Sequence, residues 1–389
     1  MSEVGTIFKD ASYDGNEVYL KAESLSVGYD GKALIHDIDI RVRRGEILTL
    51  IGPNGAGKST IIKTLTKNLK GIAGTVYIGD NVLDDTSARD LSLEMAVVLT
   101  ERLRTELMTC QEVVETGRYP YTGRLGILSE EDKVKVRDAL ELVDMWEMRN
   151  RDFMHISDGQ RQRLLLARAI CQEPNIIVLD EPTSFLDIRY QIELLSVLRR
   201  MVKEKNIAVV MSLHELDMAQ KISDKIMCVH GSTIYKYGTP EEIFTSDLVA
   251  DLYSLENGKY DPLFGSVEMA KPKGKPHTFV VAGGSTGAET FRSLQKENIP
   301  FIAGILHEND VDYALAKDLA SGVVSERPFE KISDETYSKA LEELRKCDRV
   351  ICCVSQFGTG NARNLDLIHD AESMGLEIIR ADARHKGMR

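Results

Sequence analysis

No run of apolar residues in this chain approaches the roughly 20 that a membrane-spanning helix requires. The opening stretch, MSEVGTIFKDASYDGNE, is too polar for a secretory signal. If the protein serves a membrane, it is expected to do so from the cytoplasmic side and through a partner. No two cysteines have the CxxC spacing of a metal or dithiol site. Cys110, Cys171, Cys228, Cys347, Cys352 and Cys353 read as reduced cytosolic thiols. There is no internal repeat and no low-complexity tract. Positive charge is in deficit: 49 Lys and Arg against 61 Asp and Glu leave a net charge of -12. That balance argues against free nucleic acid as the main partner.

The 389 residues are enough for two or three domains, and 43% apolar with 28% charged residues is the composition of a globular protein. Residues 17–46 alternate in character, as strands with one buried face do. ILTLIG, ending at Gly52, is instead a continuous apolar run, the pattern of a strand buried on both faces. A helix is predicted from Lys58 to about Leu69. Helix-start signals follow at Thr109 with Glu112 and at Ser129 with Asp132. NIIVLD (175–180) and IAVVMSL (207–213) read as further buried strands, with a helix from about Ile188 between them. Around 255–277 the composition turns to Gly, Pro and Lys without period, which reads as a linker. Beyond it strand–helix alternation restarts at TFVVAGG and runs to LEIIRAD, predicting a small doubly wound α/β domain.

GPNGAGKST, Gly52 to Thr60, fits GxxxxGK[ST] between a buried strand and a helix, the context of a phosphate-binding loop. Gly52, Gly55 and Gly57, with Pro53, Asn54 and Ala56 between them, let the backbone turn its N–H groups inward. Lys58 reaches the β- and γ-phosphates, and Ser59 can hold Mg²⁺ beside Thr60. IIVLDEP places Asp180 and Glu181 at the carboxyl end of a buried strand, where open α/β sheets bind ligands. Asp180 suits Mg²⁺ and Glu181 suits the polarising of an attacking water. HISDGQRQR, at 155–163, offers a second set of N–H groups at a helix start, although the chain already has one phosphate cradle.

A P-loop, then ISDGQRQR, VLDEP, SFLD and LHE, in that order, resemble the ATP-binding subunit of an ABC transporter over about residues 17–258. The resemblance implies an α/β cassette with a RecA-like core, an antiparallel β subdomain and a helical subdomain, binding ATP and Mg²⁺. It also implies why two cradles exist. In that family two copies pack head to tail, and the loop like ISDGQ serves the partner's nucleotide, so Ser157, Gly159 and Gln160 would meet the γ-phosphate in trans. By the same resemblance Tyr29 would stack on adenine, Asp187 would act across the dimer, and His214 would sense the γ-phosphate. Two departures stand out. Ile156 and Asp158 replace the commoner Leu and Gly of the signature, and Asp158, an acid near phosphate, is expected to point away. Glu101 takes the place of a Gln that links Mg²⁺ to the transporter contact. VVETGRYPYTGRLG, 113–126, resembles the subgroup importing iron–siderophore, haem or cobalamin. The partners implied are integral-membrane permease subunits and a second copy of the chain. A soluble ATPase without a permease and the ATPase of an exporter are the alternatives.

The expected division is a cassette at 1–258, a linker at 259–276, and a Rossmann-like domain at 277–389. Two Gly-rich turns in that last domain, Gly283 to Thr286 and Gly358, Gly360 and Asn361, fall at strand ends. There a phosphate or other small anion is expected to bind. A regulatory ligand site, a dimerisation or docking module, and a ligand-free relic all remain open for it.

Overall fold

The computed structural model describes residues 17–99, 107–123 and 126–381, and the chain forms two compact units, 1–244 and 245–389. In the first unit β1 (Val18–Tyr29) and β2 (Lys32–Arg43) are joined through Asp30 and Gly31, both with positive φ (51° and 74°), the two-residue turn whose twist suits a hairpin. Along β2 the residues Ile35, Ile38, Ile40 and Val42 face inward and polar neighbours face out. With β4 (Ala73–Ile78) and β5 (Asn81–Val82) these make an antiparallel sheet of order β2-β1-β4-β5.

The second sheet holds the chemistry. It contains β3 (Ile47–Ile51), β6 (Met95–Val98), β7 (Ile176–Leu179), β8 (Ala208–Ser212), β9 (Lys225–His230) and β10 (Thr233–Gly238), in the order β10-β9-β3-β8-β7-β6. All neighbours are parallel except the β9–β10 hairpin. Every residue of β3, β7 and β8 is buried, as a parallel sheet covered on both faces requires. Because β3, β8 and β7 are adjacent and parallel, the segments after them emerge side by side at one edge.

Three helices, Cys110–Glu115, Glu130–Leu142 and Asp158–Cys171, pack on one another, each opened by a capping box: Thr109/Glu112, Ser129/Asp132 and Ser157/Gln160. Arg118, 3% exposed, ties them together. It donates to Asp132 (2.8 Å), the Cys171 carbonyl (2.7 Å) and Glu173 (3.0 Å), and its guanidinium lies 3.9 Å from the Tyr121 ring centroid. The GRYPY stretch thus has a structural duty in holding this subdomain. The helix after the P-loop is shorter than expected, Lys58–Leu65.

In the second unit, residues read above as a linker fold. β11 (Gly258–Asp261) and β12 (Ser266–Met269) form a hairpin with Tyr260 fully buried. Lys259 pairs with Asp318 at 2.9 Å and Glu268 with Arg292, so the hairpin belongs to the second unit, as does the helix Ser246–Tyr253 through Ser246 Oγ to the Tyr260 carbonyl (2.7 Å). The break between compact units falls at 244, not 258, because these contacts outweigh the Pro–Gly–Lys composition. The remaining strands, β13 (Thr278–Val281), β14 (Phe301–His307), β15 (Gly322–Glu326), β16 (Arg349–Cys352) and β17 (Glu377–Arg380), are all parallel in the order β15-β14-β13-β16-β17. Successive side chains of β13 point to opposite faces: Phe279 and Val281 join a core with Ala340, Leu344 and Leu367, while Val280 joins Phe291, Leu294 and Leu315. This is the doubly wound sheet the alternation predicted.

Candidate functional site

The P-loop leaves β3 at Gly52, whose φ is 148°; a Cβ there would lie 2.1 Å from the Val229 carbonyl oxygen, so no other residue fits. Pro53, Asn54, Gly55, Ala56 and Gly57 form the loop, with Gly55 and Gly57 at positive φ (77° and 99°). The helix then starts at Lys58. This residue is 4% exposed and turns its Nζ into the loop, donating to the carbonyls of Gly52 (2.8 Å) and Pro53 (3.1 Å). Burial pushes its ammonium below the ordinary lysine range, while Glu181 and Asp180 act in the opposite sense. A desolvated cation of this kind gains strongly from an arriving phosphate. Tyr29, at the end of β1, is half exposed, and its hydroxyl lies 3.3 Å from Thr60 Oγ1, so its ring stands beside the loop.

β7 and β8 deliver the acids and the histidine. Ser59 Oγ donates to Asp180 Oδ1 (3.1 Å), and Ser212 Oγ donates to the same oxygen (2.7 Å) while accepting the Glu181 N–H (2.9 Å). His214 Nε2 meets Glu181 Oε1 at 2.5 Å. Glu181 itself has φ 49°, a left-handed conformation in which a non-glycine residue stores strain, and such residues gather at functional sites. Sequence reading missed Ser212, which is fully buried and joins both acids, and Glu215. The latter accepts from Thr183 Oγ1 (2.9 Å) and Gln191 Nε2 (3.3 Å), fixing the loop between Glu181 and the helix Ile188–Lys205. The available signal was position: Ser212 and Glu215 flank His214 at the end of a buried strand.

The second cradle behaves differently. Ser157 Oγ accepts the Gln160 N–H (3.2 Å) and Gln160 Oε1 accepts the Ser157 N–H (3.0 Å), a capping box closed on its own helix. Asp158 pairs with Arg161, so its carboxylate is directed along its own helix. A Cβ on Gly159 would meet Leu186 Cδ2 at 3.3 Å. The two arginines that follow this loop are committed within the chain. Arg161 faces Asp158, and Arg163, 7% exposed, lies 4.1 Å from the Tyr190 ring centroid and donates to the Val143 carbonyl (3.3 Å). Asp187 is exposed and caps the helix Ile188–Lys205 by accepting the Tyr190 N–H (3.1 Å). Glu101 lies outside the described residues.

A family model for ABC transporters matches residues 35–184. The chain is 42% identical to an uncharacterized ABC transporter ATP-binding protein of Methanocaldococcus jannaschii, a match covering 74% of this chain and 99% of the relative. This chain belongs to the family of ABC transporter ATP-binding proteins. It is 35% identical to the iron(3+)-hydroxamate import ATP-binding protein of Bacillus subtilis, across 61% of this chain and 88% of that one. It is 29% identical to the cobalamin import ATP-binding protein of Halobacterium salinarum, across 82% of each chain. Coverage of 82% cannot be contained in residues 1–244, so that likeness extends into the second unit. A second model, described as the MJ0874 family, matches residues 301–388. The solved structure of an ATP-binding subunit of an ABC transporter superposes with a TM-score of 0.53 at 26% identity, covering 58% of this chain and 91% of that one.

The first unit of this ABC protein is thus an ATPase that binds ATP. Its donor set fits Mg²⁺: Ser59 Oγ and Asp180 Oδ1 bring two hard oxygens to one point beside the P-loop, and Mg²⁺ commonly takes one or two protein oxygens, completing its shell with phosphate and water. No helix among the described residues is long and apolar enough to cross a membrane. The ABC site also yields a prediction. Ser212→Ala removes one bond from each acid residue and leaves the Glu181 N–H without its acceptor, while Asp180 keeps Ser59, at a cost of about 1–3 kcal/mol. Turnover should fall about tenfold with a lower melting temperature, measured by phosphate release and calorimetry. Unchanged turnover would show that Ser212 does not position the acids.

In the two Gly-rich turns of the second unit several N–H groups are already committed within the chain. Gly283 and Gly287 donate to Asp312 Oδ2 (3.0 Å each), Gly284 donates to Asp310 Oδ2 (2.6 Å), and Gly358 donates to Asn361 Oδ1 (2.6 Å). Thr286 Oγ1 donates to the Gly283 carbonyl (2.9 Å). Burial raises the Asp312 carboxyl above its ordinary range, with the loop N–H groups opposing. At the first turn carboxylates of the chain itself thus take the Gly283, Gly284 and Gly287 N–H groups that a phosphate would need. Sequence reading saw the glycines but not that Asp310 and Asp312, more than twenty residues on, fold back onto them.

Proposed function

We propose that this protein powers a binding-protein-dependent importer of a metal–siderophore or corrinoid chelate, working as a head-to-tail homodimer on permease subunits at the cytoplasmic face of the membrane. The observation that carries this is the assembly at one sheet edge of the P-loop, Asp180, Glu181 and His214, with the signature helix capped separately. In this reading Lys58 binds the β- and γ-phosphates and Tyr29 stacks on the base. Ser59 and Asp180 hold Mg²⁺, which supplies charge neutralisation between the phosphates. Glu181 polarises water for in-line attack, and His214 holds Glu181 and reads the γ-phosphate. Ser157, Gly159 and Gln160 meet that phosphate from the partner copy, and Asp187 lies at the same seam. Phe185 (79% exposed) and Ile188 (68% exposed) flank Asp187 with apolar surface suited to cover by a second copy. A groove of about 680 Å³, lined by apolar residues such as Leu91, Val97 and Leu99 and by Lys67, Asn68 and Arg168, offers a mixed apolar and polar seat for the permease. The choice of cargo rests on the iron-hydroxamate and cobalamin relatives.

The test is reconstitution with candidate permease subunits in lipid, with the binding protein loaded in turn with ferric siderophore, haem or a corrinoid. One loaded form should raise ATPase activity several-fold above the empty binding protein. Activity indifferent to permease and cargo would overturn the importer reading.

A further inference from the structure

The order in which the chain adds strands to the parallel sheet of the second unit reverses between β13 and β16, and a crevice of about 480 Å³ opens at that point beyond the carboxyl ends of the strands. Open α/β sheets bind ligands at such switch points. Its walls come from the turns after β13, β14 and β16. A neighbouring cavity of about 430 Å³ shares His307, Asp310 and Gly360 with it and reaches Phe329. The two form one two-lobed depression.

Its chemistry is specific by what it excludes. Among the described residues no Lys or Arg lines either lobe, and the N–H groups of Gly283, Gly284 and Gly287 that would hold phosphate are spent on Asp310 and Asp312. A phosphorylated ligand would meet a carboxylate where it needs cations. What the walls do offer is hydrogen bonding to an uncharged molecule. Asp310 sits just past the end of β14, the second strand of the parallel sheet in chain order, where doubly wound folds place the acid that holds ribose hydroxyls. Each of its oxygens accepts one internal bond, Oδ1 from Asp312 N–H (3.0 Å) and Oδ2 from Gly284 N–H, which leaves each a lone pair for a pair of adjacent hydroxyls. His307 donates through Nε2 to the Glu330 carbonyl (2.8 Å), so Nδ1 of the neutral ring is left to accept. The Ser355 hydroxyl and Gln356 amide on the β16 side have no hydrogen-bond partner among the described residues. At the outer lobe Phe329 is 93% exposed and held at φ 63°, an aromatic face offered to solvent in a conformation that costs energy.

We propose that this crevice binds an unphosphorylated ribonucleoside, its ribose diol on Asp310 and its base against Phe329. The proposal stands independently of the importer reading, since it uses no residue of the first unit.

The experiment uses the full chain with its P-loop saturated by MgADP, so that only additional binding is read. Adenosine, guanosine, cytidine and uridine are titrated by calorimetry and by saturation-transfer NMR. At least one should bind saturably, with its 2′-deoxy form and its 5′-monophosphate each weaker by about tenfold or more. Asp310→Asn should weaken the ribonucleoside by a similar factor without unfolding, since Asn also caps a helix well and retains one acceptor oxygen. Phe329→Ala, at an exposed position, should weaken it by several-fold. Failure of all four nucleosides would overturn the proposal. So would equal or tighter binding of the monophosphate, or equal binding of the deoxy form to the unaltered protein.

Discussion

Glu181→Gln is expected to lower ATP turnover by a factor on the order of 10² or more while leaving ATP binding intact. The substitution keeps the volume of the side chain and does not touch the backbone N–H that Ser212 accepts. It removes the one charge that His214 meets at 2.5 Å and that stands, at a strained backbone position, beside Asp180. The phosphate contacts through Lys58 and the P-loop are left alone, so nucleotide affinity should change little. Binding without hydrolysis should also hold two chains together. Adding MgATP to this variant should therefore shift it from monomer to dimer in size-exclusion chromatography, while MgADP should not. Near-normal phosphate release from Glu181→Gln would remove Glu181 from the catalytic role and leave His214 or another residue to fill it.

The P-loop, the acid pair and His214 were legible because each is a local pattern set on a buried strand, and a fully apolar run of four or five residues ending in Gly, Asp or Ser-Leu-His has few other readings. That β3, β7 and β8 are neighbours is not local information; it is a property of strand order, and Ser212 could be recognised only once that order placed it between the two acids. The second unit shows the same limit more sharply. Its strand–helix alternation predicted each of its parallel strands, since a short apolar run followed by an amphipathic helix is a local pattern. The filling of the Gly283–Gly287 turn by Asp310 and Asp312 depends on β14 lying beside β13, and this reverses the electrostatic sense of the site. The hairpin Gly258–Met269 was hidden for another reason. Glycine, proline and lysine around it mimic a linker, and its stability comes from one buried tyrosine and ion pairs to residues some 24 to 59 positions away.

Mixing Lys58→Ala chains with Ser157→Arg chains should restore hydrolysis that neither variant has alone. Lys58→Ala removes the desolvated cation inside the P-loop, and Ser157→Arg puts a long charged side chain where a small hydroxyl caps the signature helix. In a head-to-tail dimer with twofold symmetry, each nucleotide lies between the P-loop of one copy and the signature loop of the other. The mixed dimer then holds one site built from the intact P-loop of the Ser157→Arg chain and the intact signature of the Lys58→Ala chain. Random assembly makes half of the dimers mixed, each with one good site of two, so about a quarter of wild-type sites should return. If the signature acted on its own chain's nucleotide, every intact P-loop in the mixture would face a damaged signature and nothing would return. Cooperation between the two sites could mask a single competent one, so the mixture is also made in the Glu181→Gln background. There the mixed dimer should trap one ATP per two chains without needing to turn over. With Ser157 closed on Gln160 and Asp158 on Arg161, these side chains are spent on their own helix, and what the loop has left to give a nucleotide in either arrangement is the N-terminal end of that helix, which is why the mixing experiment is needed to separate cis from trans.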